Sequence, residues 1–325
     1  MMKIIVTGAS GFIGTNILQF YVKSRNEVLN LDFVVSANII KNALFQQVDI
    51  TDYESLKKTI LHFKPEYIIH LAARTDLDEK NDIDGYVANI KGVDNLIRVC
   101  NQCQSLKRVI FASSMLVCKA GYMPKNESDY CPPNLYGESK VKTEEIIRAN
   151  CQGVSYDWCI IRPTSIWGPF FGEPYRNFFD IVKAGRFFHP GNEACTKTYG
   201  YVGNAVYQID KLLFAGSEQI HQKVFYIGDS SPIQISQWAD EIAAEIGLKI
   251  RKLPWFLFKL LALFGDVMGI LGIKFPMTSF RLKNMTTDNI IDLDSTCEVA
   301  PHPPYSRSQG IKETLRWMES GHKEP

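Results

Sequence analysis

Tyr136 and Lys140 stand four apart in the run Tyr136-Gly137-Glu138-Ser139-Lys140, a spacing that puts both side chains on one face of a helix. An ammonium beside a phenol stabilises the phenolate and lowers its pKa toward working pH, so Tyr136 becomes a usable general base. A hydroxyl able to hold and polarise a carbinol oxygen stands upstream at Ser114, which with Ser113 closes the apolar run Val109-Ile110-Phe111-Ala112. The chemistry these three residue types support together is proton and hydride transfer at an alcohol carbon.

Such groups need a scaffold and an electron acceptor, and the amino terminus supplies the signal for both. Lys3-Ile4-Ile5-Val6 reads as a strand, Thr7-Gly8-Ala9-Ser10-Gly11-Phe12-Ile13-Gly14 as a turn, and the following residues as a helix. Lacking a Cβ, Gly8 can take the tight turn, Gly11 can admit a pyrophosphate to the main chain, and Gly14 can pack the helix closely. The helix N-terminus then offers free N–H groups and its positive dipole end to the phosphates. The next apolar run, Val28-Leu29-Asn30-Leu31, ends in Asp32, whose carboxylate suits two ribose hydroxyls and repels a 2'-phosphate. The expected cofactor is therefore NAD rather than NADP, and the Tyr136 to Lys140 spacing also lets the lysine reach the nicotinamide ribose.

Strand and helix patterns then alternate. Residues 43–48 read as a strand with Asp49-Ile50 at its end, where an acid could meet the adenine amine; residues 52–63 read as a helix that Pro65 stops. Tyr67-Ile68-Ile69-His70-Leu71 is a buried strand backed by the small Ala72 and Ala73; residues 85–103 form a helix with Asn89 as its odd polar member. A strand at 107–112, a helix at about 136–150 and a strand at 157–161 follow. This alternation predicts an α/β fold with a doubly wound parallel sheet, its ligands beyond the carboxyl ends of the strands. The pattern breaks at Pro163, and one further strand at 223–228 returns to the sheet. The expected division is a dinucleotide-binding domain over 1–165, completed by about 206–229, and a smaller substrate lobe built from 166–205 and 230–325.

The totals restrict the partners. Basic and acidic residues number 36 and 35, which gives no pull toward nucleic acid. The eight cysteines are expected as reduced thiols; Cys100 and Cys103 form one CxxC without a second ligand pair, so no metal is expected. The chain opens directly into the first strand, which predicts a cytoplasmic protein. Residues 254–273 are the most apolar stretch but carry Lys259, Asp266 and three glycines, so stable membrane insertion is not expected. They read as a helix buried in the small lobe or facing a partner, with peripheral membrane contact as the alternative.

Taken together, TGASGFIG, Asp32, Asp49-Ile50, His70-Leu71-Ala72-Ala73, Asn89, Ser113-Ser114, YGESK, Arg162-Pro163, Trp167-Gly168-Pro169 and Tyr201-Val202 resemble the extended short-chain dehydrogenase/reductase family, its NAD-dependent epimerase/dehydratase group, acting mostly on nucleotide sugars. The resemblance implies a Rossmann domain, a smaller C-terminal lobe for a nucleotide sugar, and a catalytic triad of Ser114, Tyr136 and Lys140. It implies NAD contacts from Gly8, Gly11, Phe12, Ile13, Gly14, Asp32, Asp49, Ile50, Leu71, Ala72, Ala73, Asn89, Ser113, Tyr136, Lys140 and Pro163. On the substrate side it implies Ser114, with Lys197 and Arg281 for a diphosphate; Ser165 is the substrate-side candidate that stands where the family commonly carries an Asn contacting the sugar or phosphate, and a homodimer is an analogy.

Departures from the family pattern narrow the chemistry. Met115 and Leu116 occupy places where family dehydratases carry acids, and Met115 stands where C3/C5 epimerases carry a cysteine. The expectation is hydride chemistry alone: C4 epimerisation through a 4-keto intermediate, or ketone reduction. A hydroxysteroid-type or other small-alcohol dehydrogenase, and a non-catalytic dinucleotide sensor, remain the alternatives.

Overall fold

The computed structural model describes residues 2–320 except 36–39, 174, 191–194, 271, 274, 276 and 277, and leaves the side chains of 190, 270, 280, 281, 284 and 285 undescribed. These residues divide into two compact units, one of 1–172, 200–230 and 292–325, the other of 173–199 and 231–291.

The first unit is built on seven strands: β1 (Lys3–Thr7), β2 (Glu27–Asp32), β3 (Leu44–Gln47), β4 (Tyr67–His70), β5 (Arg108–Ala112), β6 (Asp157–Pro163) and β7 (Val224–Ile227). Their order is β7-β6-β5-β4-β1-β2-β3, and every neighbouring pair runs parallel. The four principal crossovers are α1 (Phe12–Lys23), α2 (Tyr53–Phe63), α3 (Val87–Cys100) and α4 (Leu135–Asn150). The central strands are almost wholly apolar because both faces are buried: Ile5, Ile68, Val109 and Ile160 are completely buried with Leu56 and Ile60 of α2 and Val93 and Leu96 of α3, and the alternate positions Ile4, Val6, Ile69 and Ile110, on the other face, are completely buried too. The expected doubly wound parallel sheet is thus the observed one. Strand order reverses between β1 and β4, which opens the ligand crevice at their carboxyl ends.

Local chemistry sets the helix boundaries. Asp52 caps α2 by accepting the Ser55 N–H, and Asn134 caps α4 by accepting the Gly137 N–H at 2.9 Å. Cys100 and Cys103 are buried in the apolar core, and burial raises the Cys100 thiol pKa.

The division differs from the expected one at three places. Residues 166–172 and 200–205 belong to the sheet unit, and so does the carboxyl end from 292. Aromatic packing explains this: the ring of Trp317, in the helix Arg307–Glu319, lies 5.6 Å from that of Phe170 and 5.8 Å from that of Phe171. A Cβ on Gly310 would come within 2.7 Å of Tyr201 and 2.9 Å of Trp167, so only glycine lets that helix settle there.

The second unit holds helices Tyr175–Lys183, Ile235–Glu245, Trp255–Ile270 and Ser279–Thr286 with two short strand pairs. Its centre is aromatic: Phe178 stacks on Trp238 at 4.8 Å, with Phe179 and Tyr199 edge-on to the same indole at 5.4 Å. A separate small cluster joins Phe258, Ala262 and Leu282. No helix among the described residues is long and apolar enough to cross a membrane.

Candidate active site

The glycine turn leaves β1 at Gly8, whose φ of +69° favours glycine and whose Cβ, if present, would lie 2.6 Å from the Ala72 backbone. Gly14 is equally constrained, since a Cβ there would lie 2.4 Å from the Ala9 Cα. Both glycines therefore serve the fold of the turn itself, Gly8 by seating it against the end of β4. Gly11 is different. It is exposed, and its Cβ would meet only the Gly8 carbonyl, at 3.3 Å. It forms the N-cap of α1 without a side-chain cap, and no acidic residue stands in the first turn, where Phe12 and Ile13 are half-buried. An open main chain at an uncapped helix N-terminus is what a pyrophosphate requires.

Asp32 ends β2 beside this turn. Its carboxylate accepts the Ser10 N–H at 2.9 Å and the Val34 N–H at 3.1 Å, which pins it across from the glycines with acceptor capacity left for ribose hydroxyls. Ser10, which the sequence motif passes over as a variable position, is thus the residue that locks the acid to the turn; Asn30 in turn donates to its hydroxyl at 3.2 Å. Asp49 is exposed and its carboxylate accepts from Thr51 N–H and hydroxyl, both at 2.8 Å, while Ile50 is buried against Gly92. Leu71, Ala72 and Ala73 lie half-buried past β4, and Ala72 N–H donates to the Thr7 hydroxyl at 3.2 Å.

At the next strand end Ser113 is 5% exposed, and its hydroxyl has no hydrogen-bond partner among the described residues. A buried hydroxyl without a partner at the carboxyl end of β5 is the kind of group a bound ligand satisfies. The uncapped α1 terminus, the pinned Asp32 and the Ser113 hydroxyl together fit NAD.

Ser114, also buried, caps a short 3-10 turn over Met115–Val117 by accepting the Leu116 N–H at 3.1 Å. Its own hydrogen is left to donate outward. Tyr136 and Lys140 are both buried on the first turns of α4, and the Tyr136 ring packs 6.0 Å from that of Tyr86. The Lys140 ammonium donates to the Ala112 carbonyl at 3.0 Å, one residue before Ser113. Burial pulls its pKa down to about 8, against the opposing charge of Glu144. Gly137 joins the two elements: a Cβ there would lie 2.3 Å from the Leu116 carbonyl oxygen, so the first turn of α4 sits directly on the Ser114 turn only because this position is glycine. The sequence offered one signal for it, a glycine inside an otherwise helical run.

Behind Lys140 sits His70, whose Nδ1 is 2.7 Å from the Thr7 hydroxyl. Burial, with the nearby Lys140 charge adding to it, depresses its pKa to about 3, so it is neutral in the folded protein. Asn89 gives both amide hydrogens to the protein, to the Arg74 carbonyl at 3.1 Å and the Ser139 hydroxyl at 2.9 Å, and accepts the Arg74 N–H at 2.8 Å. It braces α3 against α4, and its amide has no hydrogen left for a cofactor. Pro163 ends β6 half-buried, and Ser165 is buried in the short strand that follows. Arg162 is spent on the fold, its guanidinium holding both Glu144 oxygens at 2.8 Å. Lys197 lies in the second unit, where burial lowers its pKa while Cys195 and Asp288 act the other way. Arg281 belongs to the helix Ser279–Thr286, and its side chain lies outside the described residues.

Comparison with known proteins agrees with this geometry. The model of the NAD dependent epimerase/dehydratase family matches residues 4–228. The chain is 29% identical, over 97% of its own length and 95% of the other's, to the N-acetyl-alpha-D-glucosaminyl-diphospho-ditrans,octacis-undecaprenol 4-epimerase of Escherichia coli O157:H7. It is 26% identical over 78% of its length and 71% of the other's to a 3-beta-hydroxysteroid dehydrogenase of Mycolicibacterium neoaurum. Its fold matches that of a Thermotoga maritima UDP-glucose 4-epimerase solved with UDP-glucose, at a TM-score of 0.76 and 21% identity, over 99% of this chain and 100% of that one. The chain belongs to the NAD dependent epimerase/dehydratase family, and NAD is its cofactor.

Proposed function

We propose that this enzyme inverts C4 of a hexose carried on a diphosphate, with Tyr136 as general base, Ser114 holding the reacting oxygen and Lys140 setting the charge and the ribose position. The observation that supports the reading is the seating of the first turn of α4 on the Ser114 turn at Gly137, together with the Lys140 ammonium bonded to the Ala112 carbonyl at the end of β5. Bound NAD supplies the hydride acceptor and donor. Tyr136 as phenolate takes the C4 hydroxyl proton and later returns it, the Ser114 hydroxyl donates to the same oxygen, and the Lys140 ammonium favours the phenolate. Met115 and Leu116, next in the chain, carry no ionisable proton, so water elimination and proton transfer at carbon have no side-chain acid or base there. A relative of nearly full-length correspondence that acts as a 4-epimerase on a lipid diphosphate sugar supports the reading, and Lys197 and Arg281 are proposed as partners of the diphosphate.

The test is conversion of a UDP-hexose, a UDP-N-acetylhexosamine and an N-acetylglucosaminyl-diphospho-polyprenol by purified enzyme without added cofactor, followed by NMR. An equilibrium of C4 epimers with no net NADH is expected, and the reactive carrier identifies the substrate. NADH accumulating in step with product, or turnover of a 3-beta-hydroxysteroid with the sugars inert, overturns it.

A further inference from the structure

The helix Trp255–Ile270 buries one face and leaves the opposite one bare. Phe258 and Ala262 are 4% and 1% exposed, and join Leu282 in the small cluster of the second unit. Phe256, Leu260, Leu263, Phe264 and Val267 recur at helical spacing on the other side, and each is at least half exposed, from 50% at Val267 to 62% at Leu263. Five large apolar side chains in one stripe form a patch of the kind that marks an interaction surface.

The charge around the stripe states what it meets. Between 249 and 283 the sequence carries seven basic residues, Lys249, Arg251, Lys252, Lys259, Lys274, Arg281 and Lys283, against one acidic residue, Asp266, whereas acids outnumber bases in the rest of the chain. Lys249, Arg251, Lys252, Lys259 and Lys283 are exposed. The one acid, Asp266, accepts the Ser279 N–H at 3.0 Å and leaves the segment strongly positive. Beside the stripe runs an open groove of ≈ 450 Å³ lined by Trp255, Lys259, Leu263, Ser279, Leu282 and Lys283, with the Lys259 ammonium 5.8 Å from the Trp255 ring. Aromatic and leucine side chains on one face with flanking lysines is the composition of a helix that lies in a bilayer interface, its apolar face among acyl chains and its ammoniums at anionic headgroups. A second copy of the chain fits less well, because a two-fold axis on this face would bring the same basic cluster of both copies together.

We infer that the exposed face of the helix Trp255–Ile270 docks this protein peripherally on the surface of an anionic phospholipid bilayer. The inference stands on the second unit's surface and is independent of the reaction proposed above.

The test is co-sedimentation of the full chain with vesicles of phosphatidylcholine alone and of phosphatidylcholine with phosphatidylglycerol. Binding is expected only with the anionic lipid, and weakened by high salt. Leu260→Glu with Leu263→Glu should weaken it about tenfold for each leucine. Lys252→Gln with Lys283→Gln should weaken it about fivefold for each lysine. Unchanged NAD binding and circular dichroism show that these variants fold. No binding to anionic vesicles overturns the inference, and so does binding that ignores both sets of substitutions. A concentration-dependent dimer in analytical ultracentrifugation that Leu260→Glu with Leu263→Glu dissociates overturns it too, by assigning the face to a second copy.

Discussion

At the scale of single residues the site depends on where charges are held. Tyr136 is expected to be indispensable: Tyr136→Phe keeps the ring and removes the proton carrier, so kcat should fall about 10²- to 10⁴-fold while NAD affinity, measured by titration, changes little. Its neighbour His70 carries a different signature. The unfolded chain binds a proton on this imidazole near pH 6.5, and the folded one only near 3, so the unfolded state holds more protons throughout that window. The stability His70 contributes is whole above pH 6.5 and is lost as pH falls toward 3. Urea unfolding of the native chain at pH 7.5 and pH 5 should differ by about 2 kcal/mol on this account, and His70→Gln should shrink that difference. An undiminished difference in the variant would assign the acid sensitivity to other groups.

At the scale of elements, positioning is the work of close approaches. Asn134 starts α4, Gly137 lets its first turn rest on the Leu116 carbonyl, and Gly310 lets the last helix rest on Tyr201 and Trp167. Gly137→Ala sets two effects against each other. Alanine improves the helix by about 1 kcal/mol, whereas a Cβ 2.3 Å from a backbone oxygen forces movement that costs about 1–3 kcal/mol. The expected outcome is an enzyme of nearly native thermal stability and native circular dichroism whose kcat/KM falls about a hundredfold, because the Ser114 turn is displaced from Tyr136. Wild-type kcat/KM in this variant would show that the contact does not position the site.

At the scale of the whole molecule, the chain combines an NAD-binding sheet unit with a second unit that carries an exposed, positively flanked apolar helix. The two proposals above meet in one kinetic expectation. With a lipid-diphosphate sugar presented in anionic vesicles, Leu260→Glu with Leu263→Glu should raise the apparent KM and leave kcat alone; with a water-soluble nucleotide sugar it should change neither. A fall in kcat on both substrates would place the helix face in the chemistry rather than at a surface.

The order of strands and helices was legible in the chain because each signal is local. Apolar runs of four or five residues mark strands buried on both faces, Gly8 marks a turn of positive φ, and Asp52 marks a helix start, all within a few residues of one another. The same local logic put Tyr136 and Lys140 on one helical face. What depended on residues far apart in sequence was decided only by tertiary packing: the Ser10 link to Asp32, the His70 and Thr7 pair behind Lys140, the saturation of Asn89 by Arg74 and Ser139, and the return of residues 292–320 to the sheet unit. Residues 254–273 show the limit most plainly. Their apolarity is a property of the sequence, but whether such a helix is buried or bare depends on which of its faces finds a partner, and here Phe258 and Ala262 found one while Phe256, Leu260 and Leu263 did not.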